Sequence, residues 1–358
     1  MAGNRWMKEL KKYEDAVDYE YDSFAPENCL YSPSPYFNWI FANKSMGIPK
    51  NSSALLFSEP KAGKSLMIYA LIMEMQRRTA NLSPDKQPLA IYFNTELRGQ
   101  LQHGVFPNLD RDRMVIYDTN DPVEIFDRVE NEIKSHVQDG MPLGMIAIDS
   151  LTNIAGIKRL NADSVANHLM GDQALTLQNG LSKLVPFCKR NNILLVATSQ
   201  MRANLDAGAY GPKEKMAAQW ATKHAFEYFV SLKRAGAAED KQDIEGKTFE
   251  EDDMKDARGN KLLTGHKIYV KMEASSIGQA GRAGVFTLDY NEGIINQNEE
   301  LFWLGKNLGI ITTPNNRTYT FDGKSYNGKK ETALAIKDDP EMAGKIIAAI
   351  QSLEQYKG

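Results

Sequence analysis

Cysteine is nearly absent: the chain has two in 358 residues, Cys29 and Cys188. They lie far apart and match no CxxC or Cys/His ligand spacing, which argues against a disulfide scaffold or a cysteine-based zinc site. Reduced, structural thiols are the expectation. The five histidines (His103, His136, His168, His224, His266) are scattered, with no HExxH pair to share a metal. No uninterrupted apolar run approaches the roughly 18 residues of a membrane span, and Met1 to Lys12 lacks the apolar stretch of a secretory signal. A soluble, cytoplasmic protein without a membrane partner is expected. An excess of one charge is also missing, since 43 basic residues face 46 acidic ones. Any nucleic-acid affinity must then come from a local basic surface and not from the field of the whole molecule.

What is present is an ordinary globular composition, 42% hydrophobic, without repeats or low-complexity tracts. Short apolar runs at 53–57, 89–93, 114–117, 145–148 and 193–198 alternate with helical stretches. Runs apolar on both faces, separated by helices, predict an α/β fold with a mostly parallel central sheet covered on both sides. Of the helices, residues 65–79 are apolar almost all round. Residues 122–137 start with Asp121 as N-cap and Pro122 at the first helical position. Further strands are expected at 226–232, 267–272 and 284–290. The acidic stretch 239–256 reads as a solvated insertion or hairpin tip. Residues 1–44 are expected to form an N-terminal segment, 45–310 the core, and 311–358 a small appendage.

Ser58-Glu59-Pro60-Lys61-Ala62-Gly63-Lys64-Ser65 sits between a strand and a helix, where backbone N–H groups and the helix N-terminus attract phosphates. Lys64 would neutralise β and γ oxygens, and Ser65 would hold Mg²⁺. Ser58 replaces the usual first glycine, which is tolerable if its φ stays negative. The GKS tripeptide alone is weak; strand, loop and apolar helix in register make it strong. Met145-Ile146-Ala147-Ile148-Asp149-Ser150 ends an apolar strand in an acid that would orient the water shell of Mg²⁺. Glu96, just past another strand, is placed to orient or deprotonate an attacking water. Gln200, ending the run that reaches Ser199, could hydrogen-bond a γ-phosphate and lose that contact after hydrolysis, as a sensor would.

The order of phosphate loop, strand and Glu96, MIAIDS and LLVATSQMR resembles the RecA family of recombinases, over roughly residues 31–310. The stretch 45–50 resembles that family's approach to its phosphate loop, and 288–294 its closing strand and turn. Within the family the chain looks nearest to phage UvsX-type proteins, because its phosphate loop is relaxed and its C-terminal part abbreviated. The resemblance implies a RecA-like P-loop ATPase core that binds ATP and Mg²⁺. It further implies a homo-oligomeric helical filament on single-stranded DNA that exchanges strands with homologous duplex DNA, with a mediator or single-strand-binding protein as a further partner. If phage-encoded, the protein would act in the host cytoplasm.

The same resemblance makes two DNA-binding loops of residues 156–170, carrying Lys158 and Arg159, and 201–223, carrying Arg202, Lys213, Lys215 and Lys223. From 158 to 223 nine bases face four acids, the local concentration that phosphate contact requires. Lys271 matches the first of the family's paired catalytic lysines, supplied by a neighbouring protomer. Glu273 stands in place of the second, with Arg282 as a substitute. His103 falls where an aromatic stacks on adenine. Trp220 is read as packing or as base-stacking. The aromatics Trp6, Tyr13, Tyr19, Tyr21 and Phe24 on a polar stretch suggest docking onto the adjacent subunit. Two other readings stay open: a ring helicase of the same fold, disfavoured by the roughly 50 residues preceding the loop, and a non-hydrolysing accessory protein.

Overall fold

The computed structural model describes residues 21–97, 108–160, 171–203, 214–216, 222–236, 242–255, 259, 261–315 and 317–355. The early strands are β1 (Cys29–Leu30), β2 (Ile48–Pro49), β3 (Ser53–Ser58), β4 (Leu89–Asn94), β5 (Met114–Asp118), β6 (Leu143–Asp149) and β7 (Leu194–Ala203). There follow β8 (Glu214–Met216), β9 (Tyr228–Arg234), β10 (Glu250–Lys255), β11 (Lys261–Leu263), β12 (Gly265–Ser275), β13 (Ala283–Asp289), β14 (Gly293–Ile295), β15 (Thr318–Phe321) and β16 (Lys324–Asn327).

The central sheet has the order β14-β13-β12-β9-β3-β7-β6-β4-β5, with β8 hydrogen-bonded to the end of β7. From β9 to β5 every pairing is parallel. β12, β13 and β14 add antiparallel strands at one side. This is a RecA-like α/β core, as the alternation of apolar runs and helices predicts.

Period-two geometry divides the strands between two cores. Ala54, Leu56, Met145, Ala147, Leu194 and Val196 face one side, against Ile68, Leu71 and Ile72 of the helix Lys64–Arg78. Leu55, Ile146, Ile148, Leu195 and Ala197 face the other, with Ile125, Leu177 and Leu181. Each fully buried Val, Leu, Ile or Met among them contributes roughly 1.5–3 kcal/mol, so the sheet is held from both faces.

Asp121 caps the helix Pro122–Arg128, its side chain accepting from the Val123 N–H. The single helix expected over 122–137 is interrupted by a π-helical turn, Val129–Ile133, before Lys134–Gln138. Gly180, in the helix Asp172–Arg190, lies where a Cβ would come within 2.4 Å of the Phe126 ring.

Packing continues upstream of residue 45. Leu30, Phe37, Ile40 and Phe41 are buried in the same core as the helix Lys64–Arg78. Cys29 and Cys188 are free and buried, and burial pushes the Cys29 thiol up to about 12. Of the acidic stretch, β10 pairs antiparallel with β11 as a hairpin. Phe249 is nevertheless buried, and the Ile244 N–H donates to Glu299 at 3.1 Å. The stretch is therefore partly seated on the helix Gln297–Asn307. Beyond 311, the β15–β16 hairpin and the helices Gly328–Asp338 and Pro340–Gln355 share a third core with Leu301, Phe302 and Tyr36. Among the described residues no helix is long and apolar enough to cross a membrane.

Candidate nucleotide site

The carboxyl ends of β3, β7, β6 and β4 lie side by side, so Ser58, Gln200, Asp149 and Asn94 share one edge of the sheet. Such an edge, beside a change in the direction of strand order, is where open α/β sheets bind ligands. After β3 the chain makes a tight loop, with Lys61 and Gly63 both at positive φ (64° and 90°). A Cβ on Gly63 would also come within 2.8 Å of Ile268. Glycine is therefore needed there twice over, for its torsion and for the close approach of the loop to β12. Ser58 itself has no positive φ, so it fits the place of the missing glycine without strain.

Lys64 opens the helix and is buried. Its Nζ donates to Ser58 Oγ at 2.8 Å and to the Glu59 carbonyl at 3.2 Å. Burial lowers the Lys64 pKa, while Asp149 and Glu96 oppose that effect. Ser65 Oγ donates to Asp149 Oδ2 at 2.5 Å. Gln200 Nε2 donates to Glu96 Oε1 at 2.8 Å, joining the expected sensor to the expected acid. Backbone bonds from Thr95 N and Glu96 N to the Asp149 carbonyl, at 2.9 and 3.3 Å, tie the ends of β4 and β6 together. A cavity of about 270 Å³ is lined by Pro60, Lys61, Gly63, Lys64, Ser65, Glu96 and Gln200 among others. Of the remaining loop residues, Ser58 anchors Lys64, Ala62 is turned into the core, and the Glu59 side chain is exposed.

The cavity has a wall that the sequence reading did not assign: Leu288, His266 and Tyr290. Arg234 Nη2 donates to the Tyr290 hydroxyl at 2.6 Å, and His266 Nδ1 lies 3.0 Å from that hydroxyl. Burial, then the nearby Arg234 charge, pushes His266 down to about 4. These residues reach the loop because β12 and β13 fold back antiparallel beside β9. No local motif announces that arrangement.

Lys271 is not among the residues lining the cavity. It forms a 2.6 Å ion pair with Glu273 two residues along the same strand face, both about one-third exposed. The bond to Glu273 raises the Lys271 pKa. Burial pushes Glu273 up, but bonds from Lys271 and Ser231 outweigh it and leave that carboxyl lowered. The expectation that Arg282 substitutes for a catalytic lysine is corrected. Its guanidinium is buried, pairs with Glu354 at 2.7 Å and lies 4.8 Å over the Trp39 ring. It is committed to docking the C-terminal helix.

Lys158 and Arg159 lie exposed on a short helix, Ile157–Leu160, and Lys223 is exposed in a turn. Residues 202 and 215 stand opposite each other in the β7–β8 pairing. His103, Lys213 and Trp220 lie outside the described residues, as do Trp6, Tyr13 and Tyr19.

No protein-family model matches the chain. Known proteins do. It is 23% identical over 308 residues to the protein named Protein RecA of Wolbachia pipientis subsp. Culex pipiens, covering 86% of this chain and 77% of that protein. It is 20% identical over 305 residues to Protein RecA of Campylobacter hominis, covering 85% and 78%. With Protein RecA of Campylobacter jejuni subsp. doylei the figures are 19% over 312 residues, 87% and 81%. Similarity along most of the chain, with the sheet order and with the loop, acid and amide gathered at one edge, supports a RecA-family protein.

Proposed function

We propose that the chain is an ATP-dependent recombinase that assembles as a helical filament on single-stranded DNA and pairs it with homologous duplex. The observation that carries this reading is the meeting of Lys64, Ser65, Glu96 and Gln200 in one cavity, with Asp149 bonded to Ser65. The donor set fits a triphosphate with Mg²⁺. A buried ammonium stands at the loop, and a hydroxyl and a carboxylate 2.5 Å apart offer hard oxygen donors. Bound there, Mg²⁺ would neutralise charge on the phosphates.

The chain's own residues do the rest. Lys64 exchanges its bonds to Ser58 and Glu59 for phosphate oxygens. Ser65 and Asp149, bonded to each other at 2.5 Å, are the residues that would hold Mg²⁺, Ser65 directly and Asp149 through water. Glu96 orients the attacking water and accepts its proton, with Gln200 holding the Glu96 carboxylate and reading the γ-phosphate. Lys271 would act from a neighbouring protomer once released from Glu273, and His103 would face the base. Lys158, Arg159, Arg202, Lys213, Lys215 and Lys223 would contact the DNA backbone. Because Gln200 precedes Arg202 by two on β7, nucleotide state and DNA contact share a strand. The relaxed loop at Ser58 supports a phage UvsX-type assignment, with residues 1–44 docking on the adjacent protomer and a mediator or single-strand-binding protein as partner.

The test is a pair of variants. Lys64→Ala is expected to abolish nucleotide-dependent filament assembly. Glu96→Gln is expected to slow hydrolysis about 100-fold or more, the scale of a lost general base, and to leave long-lived ATP-bound filaments. Hydrolysis at the parental rate in Glu96→Gln would remove Glu96 from its role. A non-hydrolysing accessory protein is favoured by one observation, the acid Glu273 paired with Lys271 where the family has a second lysine. It requires the parent chain to bind ATP without turnover in the same assay.

A further inference from the structure

Asp149 is 3% exposed, and a carboxylate so enclosed is costly unless its oxygens are bonded. Three hydroxyls from three elements meet that need. Ser65, at the start of the loop's helix, donates to Oδ2 at 2.5 Å. Tyr92 on β4 donates to the same oxygen at 2.6 Å. Thr198 on β7 donates to Oδ1. The sheet dictates this meeting. Tyr92 and Val196 are both paired with Ala147, so Tyr92, Thr198 and Asp149 share one face of the sheet. Asn94 stands directly opposite the acid on β4, and Tyr92 reaches it on the diagonal from two residues back.

Behind Tyr92, the Tyr69 ring of the loop's helix stacks on it, with centroids 5.0 Å apart and planes 20° apart. The two hydroxyls are hydrogen-bonded to each other. A carboxylate only accepts, so the Tyr92 proton lies on the bond to Asp149, and the bond between the tyrosines must be donated by Tyr69. The result is a directed chain, Tyr69 to Tyr92 to Asp149, running from the phosphate-loop helix to the acid of β6.

We propose that Tyr92 and Thr198 are positioning residues that grip Asp149 by both oxygens, so that the carboxylate keeps its place when the Ser65 hydroxyl turns to a divalent cation. The inference rests on the nucleotide reading above and extends it to two side chains that never touch the nucleotide. Oδ2 has two donors and loses only one when Ser65 leaves; Oδ1 keeps Thr198 throughout. Tyr69 supports Tyr92 and restrains it against the helix that carries Ser65.

The experiment uses the full chain and Mn²⁺ as the probe, its binding read by electron paramagnetic resonance in the presence of ADP. Nucleotide affinity in EDTA and a thermal melt are measured in parallel. Tyr92→Phe keeps the ring and removes only the hydroxyl. It is expected to weaken Mn²⁺ about 10-fold, the scale of lost outer-shell partners, with metal-free ADP affinity unchanged. Thr198→Val is expected to act in the same direction and Thr198→Ser to restore binding. Unchanged Mn²⁺ affinity in Tyr92→Phe would overturn the proposal, even if Thr198→Val fails to fold. So would an equal loss of ADP affinity in EDTA, which marks a damaged pocket. A parent chain that binds no ADP, with or without Mn²⁺, would overturn the nucleotide reading itself, a result distinct from either.

Discussion

Glu300 is enclosed beneath the N-terminal segment, where Ser34 Oγ donates to its Oε2 at 2.5 Å and Tyr36 N at 3.1 Å. Burial pushes its carboxyl up to about 8 despite those bonds. The folded chain therefore holds a proton that the unfolded chain releases above about 4.5, and this contribution to stability is lost as pH rises through 8. His266, pushed down to about 4, has the opposite sign. The unfolded chain takes up a proton below about 6.5, so stability falls as pH drops from there toward 4. The two slopes oppose each other between about 4.5 and 6.5, and Glu300 acts alone from about 6.5 to 8. Urea unfolding across pH should show stability declining over the upper window, by at most about 1.4 kcal/mol per pH unit for one proton. Glu300→Gln should flatten that decline, and His266→Gln should steepen the loss of stability with rising pH in the lower window.

At the scale of elements, the helix Pro340–Gln355 is held by a charge pair, one member of which, Arg282, the family resemblance would place in a catalytic role. Arg282 and Glu354 are 7% and 1% exposed at 2.7 Å, and Trp39 Nε1 also donates to Glu354 at 3.3 Å. Removing one member of a buried pair strands the other. Arg282→Ala should therefore cost about 3–5 kcal/mol in urea unfolding and expose the helix to hydrogen exchange, with ATP turnover per folded molecule unchanged. If turnover fell while stability held, Arg282 would belong to the catalytic apparatus after all. Lys271 shows the contrasting case. Its pair with Glu273 is solvent-accessible, so it is worth little and easily broken, as a residue that changes partners on assembly would require.

For the whole molecule, the basic residues at 158–223 belong to a chain of net charge −3, so the proposed DNA affinity would have to be local and steeply salt-dependent. Lys158→Gln with Arg159→Gln should flatten the slope of log affinity for single-stranded DNA against log salt by about one to two counterions. DNA-free nucleotide binding should be unaffected; an unchanged slope takes both residues off the DNA surface. Electron micrographs with single-stranded DNA and a slowly hydrolysed ATP analogue should show extended helices, whereas closed six-membered rings would point to the helicase. Truncation of residues 1–20 leaves β1 and its pairing with β2 in place. It should nevertheless shorten the helices if that segment docks on a neighbour.

The strand, loop and helix from Ser53 to Arg78 were legible because they depend on local chemistry: a run apolar on both faces, a glycine at positive φ and a lysine at a helix start. The same holds for Asp149 and Glu96, each just beyond an apolar run. Tyr92, Thr198, His266 and Tyr290 were illegible as partners, since each reads as one more strand residue. They meet Asp149 or the cavity only because β4, β6, β7, β12 and β13 take particular places across the sheet. Sequence by itself determined the central parallel strands and the tight loop that opens the helix Lys64–Arg78, because periodicity and turn torsions act over a few residues. Only tertiary structure decided which hydroxyls hold the acid and which arginine is spent on packing, because those contacts join residues tens to hundreds of positions apart.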